Sequence, residues 1–246
     1  MSGHSKWATI KHAKGAADAK RGQIFTKLIK EISIAARMGG GSPDSNPRLR
    51  TAILKARGAN MPKDNIDRAI KKGTGELEGV NYEELVYEAY APGGVAIFIE
   101  VLTDNKNRAA ADIRNMLTRA GGQLATAGSV SRLFKRQGII TVDGDKYTED
   151  EIMEIAIEGG AEDVSLSDGI IEITTAPEDF EAVLNAINDK QIETMSAEVS
   201  MVADVEVALE VDAVGKVIKL IDRLEESEDV QNVYSNLEIP EGFESE

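Results

Sequence analysis

The sequence predicts an α+β protein: an N-terminal three-helix bundle followed by two ferredoxin-like α/β sandwich domains, the second inserted in the first. Three observations carry that prediction. Over residues 20–73 apolar side chains recur at about 100° per residue, punctuated by Gly, Pro and Asn. After Glu76 the pattern changes to short alternating segments separated by turns, the mark of strands with intervening helices. Finally, residues 78–136 read as strand, strand, helix, strand, and the helix and strand that would complete their sandwich come only after residue 209. A chain of 246 residues is long enough for two or three compact units. The predicted division is 1–77, then 78–136 together with 209–240, with 137–208 as the insertion.

Taken in order, the stretch from Ser2 to Gly15 is polar and cationic and has too few apolar positions to fold alone, so a flexible lead into the bundle is expected. It holds the only Trp and both His. Trp7 among Lys6, Lys11, His12 and Lys14 joins a flat stacking surface to phosphate-neutralising cations, the combination that grips nucleic acid without reading a long sequence. From Lys20 to Met38 one helical side carries Ile24, Phe25, Leu28, Ile29, Ile32, Ala35 and Ala36, and Gly39-Gly40-Gly41 stops the run. Lys20, Lys27, Lys30 and Arg37 fall nearly opposite that stripe, so this helix is expected to pack and still present a basic face, with Arg21 beside it. Asn46 as N-cap and Pro47 at the first position announce a second helix with Leu49, Ala52, Ile53 and Ala56 inward. A third follows Met61-Pro62, burying Ile66, Ala69 and Ile70 and stopping at Gly73.

In the remainder, Tyr82 to Tyr90 and Val95 to Leu102 flank Pro92-Gly93-Gly94 and read as a hairpin. A helix over 106–120 buries Ile113, Leu117 and Ala120, and Val130 to Phe134 and Gly138 to Val142 are strand-like. Thr148 with Glu151 is a capping box, Asp168-Gly169 a tight turn between strands, and Thr175-Ala176-Pro177-Glu178 a helix start ahead of Phe180, Val183, Leu184 and Ile187. A strand near Glu193 to Val202 closes a β-α-β-β-α-β unit. The end alternates at Val205, Val207 and Leu209, turns helical through Val214, Val217, Ile218, Ile221 and Leu224, and finishes with a strand at Val230 to Leu237.

Charge separates the parts further. The net of −15, taken alone, argues against a polyanionic partner. Yet residues 1–72 hold 16 Lys and Arg against 5 Asp and Glu, whereas residues 137–246 hold 5 against 30. The first part is able to meet an anion that the last would repel. Lys106 and Arg108, at a helix N-terminus whose amides also attract anions, form a second candidate phosphate contact. The absence of Cys removes thiolate catalysis, disulfides and cysteine-held metal, and His4 and His12, eight apart with no carboxylate between them, supply too few ligands for a metal. No phosphate loop, GxGxxG, GxSxG or HExxH pattern occurs, so neither catalytic residues nor a cofactor are expected. No apolar run reaches a membrane span and the start lacks the core of a signal peptide, which predicts a cytosolic protein that does not enter membranes.

Several motifs resemble the YebC/PmpR family: Gly3-His4-Ser5-Lys6-Trp7 with Ile10-Lys11-His12, Arg21-Gly22 with Phe25-Thr26-Lys27-Leu28, Asn46-Pro47, Asn60-Met61-Pro62, and Ala69-Ile70-Lys71-Lys72-Gly73. Tyr87-Glu88, Pro92-Gly93-Gly94-Val95, Asp104-Asn105, Asn107-Arg108, Gly121-Gly122 and Gly128-Ser129-Val130 extend the likeness to residue 130. The resemblance implies a helical N-terminal domain and two α/β domains around a cleft, no catalytic residues and no cofactor. It also implies a DNA-binding transcriptional regulator or a ribosome-associated factor that eases stalled synthesis. The sequence departs from the family at Ala13, Ala89, Ala91 and Ala109, where Lys, Gly, Gly and Thr are usual.

The expected function is that of a non-enzymatic, monomeric regulator of gene expression whose partner is DNA or ribosomal RNA, with the ribosome itself a candidate. Its expected contacts are Lys6, Trp7, Lys11, His12, Lys14, Lys20, Arg21, Lys27 and Lys30, with Lys106 and Arg108 as a second set. The basic helix carries mostly Lys and lacks an Asn/Gln/Arg reading set, which leans toward phosphate and shape recognition and so toward structured RNA. A small-molecule sensor using the interface of the two sandwiches is the alternative of another class.

Overall fold

Residues 18–240 and 243 are described by the computed structural model of the chain. Three helices come first: α1 (Asp18–Gly39), α2 (Pro47–Gly58) and α3 (Lys63–Thr74). Ile32, Ala35 and Ala36 of α1 pack on Leu49, Ala52, Ile53 and Ala56 of α2 and on Ile66 and Ala69 of α3. Asn46 organises the first corner with one side chain. Its Oδ1 accepts from the Leu49 amide at 3.1 Å, capping α2, while its Nδ2 donates to the carbonyls of Ala35 and Gly40 at 2.8 Å each, closing the end of α1. The third helix does not stop at Gly73 as expected. It runs to Thr74, and Gly75 in the left-handed region at φ 84° ends it. Gly73 is a packing position instead, because a Cβ there would lie 2.2 Å from the carbonyl oxygen of Ser33 on α1.

The rest of the described chain forms β1 (Glu83–Tyr90), β2 (Ala96–Thr103), α4 (Lys106–Arg119), β3 (Gln123–Leu124), β4 (Phe134–Asp143), α5 (Glu149–Glu158), β5 (Asp163–Ser167) and β6 (Ile170–Thr175). Then follow α6 (Phe180–Asp189), β7 (Thr194–Ala203), α7 (Val211–Glu225) and β8 (Val230–Ser235). The strands make two four-stranded antiparallel sheets, ordered β3-β1-β2-β8 and β5-β6-β4-β7. With its seven described helices the protein is of the α+β class.

The second sheet keeps the hairpin β5–β6 at one edge, turning through Asp168 and Gly169 at φ 51° and 74°, the mirror-image geometry that suits a two-residue hairpin. The first sheet corrects the expectation of two ferredoxin-like units, because its hairpin β1–β2 lies at the centre. A hairpin has two open edges that need partners. Here β3, returning from α4, closes the β1 edge, and β8, returning from α7, closes the β2 edge.

One face of the first sheet buries Ile97, Ile99 and Val101 against Ile113 and Leu117 of α4 and Val217 and Ile221 of α7. The opposite face buries Ala96, Phe98 and Tyr234 with Val130, Phe134, and Met201 and Ala203 of β7. Strand β2 is therefore apolar on both sides and links the two sheets. The second sheet packs Ile140, Val142, Ile171 and Ile173 against Ile152 and Ala156 of α5 and Val183 and Ile187 of α6.

Three expected elements differ. Val130 to Phe134 is not a strand; a 3-10 turn over Ser131–Leu133 leads into β4. The turn exists because the buried Glu88 carboxylate gathers the amides of Gly128, Val130 and Ser131, which a ladder would otherwise use. Helix α6 starts at Phe180 rather than Thr175, since Thr175 is still pairing with Gly138 as the last residue of β6. The alternation at Val205, Val207 and Leu209 yields a single parallel bridge, Val207 to Leu237, held by the buried Asn236, whose Oδ1 accepts from Ala96 N at 2.7 Å and whose Nδ2 donates to Val205 O. Among the described residues no helix is long and apolar enough to cross a membrane.

Candidate nucleic-acid interface

Of the predicted contacts, Lys6, Trp7, Lys11, His12 and Lys14 lie outside the described residues, and Lys20 is described only as part of helix α1. Arg21 is exposed near the start of that helix. The next cations are not on an open face. Gln23, Lys27 and Lys30 sit at i, i+4 and i+7 and so form one stripe along α1. They donate to the carbonyls of Glu226 at 3.3 Å, Glu225 at 2.6 Å and Glu228 at 2.8 Å. Those carbonyls belong to the last turn of α7 and the residues just past it, where a helix has oxygens without intrahelical donors and the negative end of its dipole. The stripe serves the C-terminus of α7.

Lys30 is the clearest correction to the expected site. It is 7% exposed, and its ammonium donates to Asp229 Oδ1 at 2.9 Å and lies 5.6 Å from the centre of the Tyr82 ring. Asp229 is also gripped from the other side by Arg108, whose Nη2 reaches Oδ2 at 2.9 Å and Oδ1 at 3.1 Å and whose Nε reaches Oδ2 at 3.2 Å. Burial pushes the Asp229 carboxyl up, but the hydrogen bonds from Lys30 and Arg108 outweigh it and hold the group below the usual carboxylate range. Arg108 also donates to Asp104 at 2.7 Å, and Asp104 first, then Asp229, keeps its guanidinium more firmly protonated than usual. Arg108 is thus committed to a strut between α4, the α7–β8 turn and, through Asp229, α1. Lys106 is exposed, 3.4 Å from Glu83.

Helix α2 divides its cations in the same manner. Arg48 donates to both oxygens of Glu31, at 2.7 and 3.1 Å, and also pairs with Glu84 of β1; Glu31 first, despite opposing burial, raises its pKa. Arg50 reaches Glu181 of α6 at 3.3 Å. Lys55 and Arg57 near the end of α2, and Lys63, Arg68, Lys71 and Lys72 on α3, are exposed and form no ion pair within the described residues. These six were not among the expected contacts. The seven-residue spacing that puts Arg48 with Lys55 and Arg50 with Arg57 is visible in the sequence, but which member of each pair turns toward an acid is not. A polyanion could be met here by exchanging mobile counterions rather than by breaking internal pairs.

Among the described residues no group of three or more metal-ligating side chains comes together. Comparison with known proteins agrees with this picture of two sheets and a basic bundle. A family model described as the TACO1/YebC protein N-terminal domain matches residues 5–76, and one described as the TACO1/YebC second and third domain matches residues 82–237. The chain is 66% identical over 244 residues to a probable transcriptional regulatory protein of Treponema denticola, covering 99% of both chains. To a protein of the same description from Desulforapulum autotrophicum it is 54% identical over 241 residues, covering 98% of each. The crystal structure of a conserved hypothetical protein from Aquifex aeolicus superposes with a TM-score of 0.82 at 46% identity, over 93% of this chain and 95% of that one. Matched along nearly its whole length by both domain models, the chain belongs to the TACO1/YebC family, and these two relatives carry the name probable transcriptional regulatory protein.

Proposed function

We propose that the protein is a non-enzymatic regulator of gene expression, acting in the cytosol as a monomer and binding nucleic acid through its N-terminal third in the role of a DNA-binding transcriptional regulator. One observation carries this: the six exposed cations of α2 and α3 form no ion pair among the described residues, in a chain whose net charge is −15. Together with Lys6, Trp7, Lys11, His12, Lys14, Lys20 and Arg21 they make a cationic module, while the acidic sheets repel the same polyanion and orient the module toward it. The names of the relatives support transcription as the process. We infer a domain division at 1–77, at 78–136 with 209–240, and at 137–208 as a ferredoxin-like insertion; the pairing of β8 with β2 supports it.

A second target, ribosomal RNA, is favoured by one feature. Exposed Asp64 and Asp67 interleave with Lys63, Arg68 and Lys71 on α3, which penalises lodging that helix between the phosphate walls of a major groove and suits a shape-read RNA surface. Neutralising about six phosphates gives a log–log salt slope near −5 on duplex DNA and a shallower one on single strands. The test compares retention of duplex DNA with co-sedimentation on ribosomes at matched salt. Replacing Lys55, Arg57 and Lys63 together by Gln should flatten the slope by about 3. Deleting residues 1–22 should weaken both targets, and binding insensitive to salt would overturn the electrostatic basis.

A further inference from the structure

The linker from bundle to first strand, residues 75–82, closes over the C-terminal ends of α1 and α3 and leaves a cavity of about 240 Å³. Arg37 from the last turn of α1 and Lys72 from the last turn of α3 both line it, with Asn81, Tyr82, Leu77 and Val80 of the linker. The composition of this lining is selective. It holds two cations and no carboxylate, in a chain with 43 Asp and Glu. Glu76, on the same linker, is not part of it; its carboxylate accepts from Thr74 Oγ1 at 3.0 Å.

Arg37 uses one donor on Asn81 Oδ1 at 3.0 Å, so most of its planar fork remains for another acceptor, and Lys72 forms no ion pair with a described residue. Leu77 and Val80, which also line it, are 43% and 56% exposed and give it an apolar surface. Two cations and aliphatic surface in one lining match a phosphate joined to a less polar body. The volume decides its size. It falls under the roughly 300–1,000 Å³ of pockets that enclose whole drug-sized ligands, so it takes the phosphate and part of one nucleotide, with the rest lying outside the cavity, and is too small for a dinucleotide.

We propose that this cavity binds a phosphate ester, one nucleoside monophosphate unit, with Arg37 and Lys72 on the phosphate and Leu77 and Val80 against sugar and base. The unit is either a free nucleotide or one residue of a strand. Because the site joins α1 and α3 to the linker, its occupancy would also stiffen the junction between bundle and sheets. Titration calorimetry of the full chain with AMP tests it, and needs no nucleic acid, so a failure of the proposed function leaves this test intact. The expected result is saturable binding with a Kd on the order of 1 mM or tighter, weakened about tenfold by Arg37→Gln or Lys72→Gln and retained by Lys72→Arg. Circular dichroism establishes that each variant is folded, both residues being exposed. No heat of binding up to about 10 mM AMP, adenosine binding as well as AMP, or undiminished binding by the Arg37→Gln/Lys72→Gln double variant would each overturn the assignment. Competition of a 5′-phosphorylated oligonucleotide against AMP identifies the strand as the source, and binding of AMP without such competition identifies the free nucleotide.

Discussion

Replacing Asp229 by Ala isolates the strut that holds the helical bundle to the first sheet. In the wild type Lys30 and Asp229 have side chains only 9% and 8% exposed, 2.9 Å apart. Without the carboxylate, the Lys30 ammonium keeps the carbonyls of Glu228 at 2.8 Å and Leu102 at 3.4 Å but has no counter-charge in a nearly dry site. Removing one member of a buried pair costs about 3–5 kcal/mol, whereas replacing both by apolar groups is about neutral or better. Arg108 can return to water, being exposed, and adds little to the penalty. For a chain of this size about 1 kcal/mol moves a Tm by about 2–4 °C, so Asp229→Ala should melt about 6–20 °C lower in calorimetry. If the bundle undocks before the sheets melt, the same loss shows as a separate early transition. The Lys30→Met/Asp229→Ala double variant should recover most of the difference. A single variant within about 1 kcal/mol of wild type, or a double variant as unstable as the single, would refute the buried-pair account.

Acid should probe the same pair together with Glu88. Burial raises the Glu88 carboxyl, yet the amides of Gly128, Val130 and Ser131 outweigh it, so Glu88 and Asp229 both titrate below their unfolded values. The unfolded chain therefore binds more protons, and the stability from both groups is complete above about pH 5 and lost as pH falls through their folded values. Urea midpoints measured across that range should drop, and Glu88→Gln, which replaces charge-assisted hydrogen bonds, should cost about 2 kcal/mol at neutral pH and lessen the drop. An unchanged pH dependence would remove Glu88 from the account. Gly73→Ala should destabilise the bundle by about 1–3 kcal/mol through its collision with Ser33, while Gly22→Ala, with nothing within 4 Å of the added carbon, should be neutral or stabilising by about 0.5–1 kcal/mol. Equal effects at the two glycines in chemical denaturation would contradict the close α1–α3 approach.

Local rules made the bundle and most strands legible. Asn46 and Thr148 each cap the helix their spacing announces, and the apolar period finds Ile32, Leu49 and Ile66 inward. What the sequence withheld depends on partners far along the chain. Lys30 lies opposite the apolar stripe by its angle on the helix, which reads as solvent; the occupant of that side is the α7–β8 turn, 199 residues away. Val130 to Phe134 alternates like a strand, and only the demand of Glu88, 42 residues earlier, for backbone donors turns it aside. The central place of the β1–β2 hairpin was equally hidden, because strand order depends on which edge a returning helix reaches. The candidate site was legible as a charge gradient but not as individual contacts, since identical cations are divided between acids and water by tertiary neighbours.

The completion of the first sheet by β8 sets an order on biosynthesis. When β2 leaves the ribosome, its backbone edge has no β8 to pair with and one of its apolar faces has no α7 to cover it, and about 130 more residues must be made before Ser235 appears. At about 5–20 residues per second that interval lasts about 7–26 s. The sheet of β4–β7 has all its strands in one continuous stretch and can close during the wait. The nascent chain thus spends seconds with an unfinished, sticky strand in its middle, and Asp229, which seats the bundle, is translated just before β8.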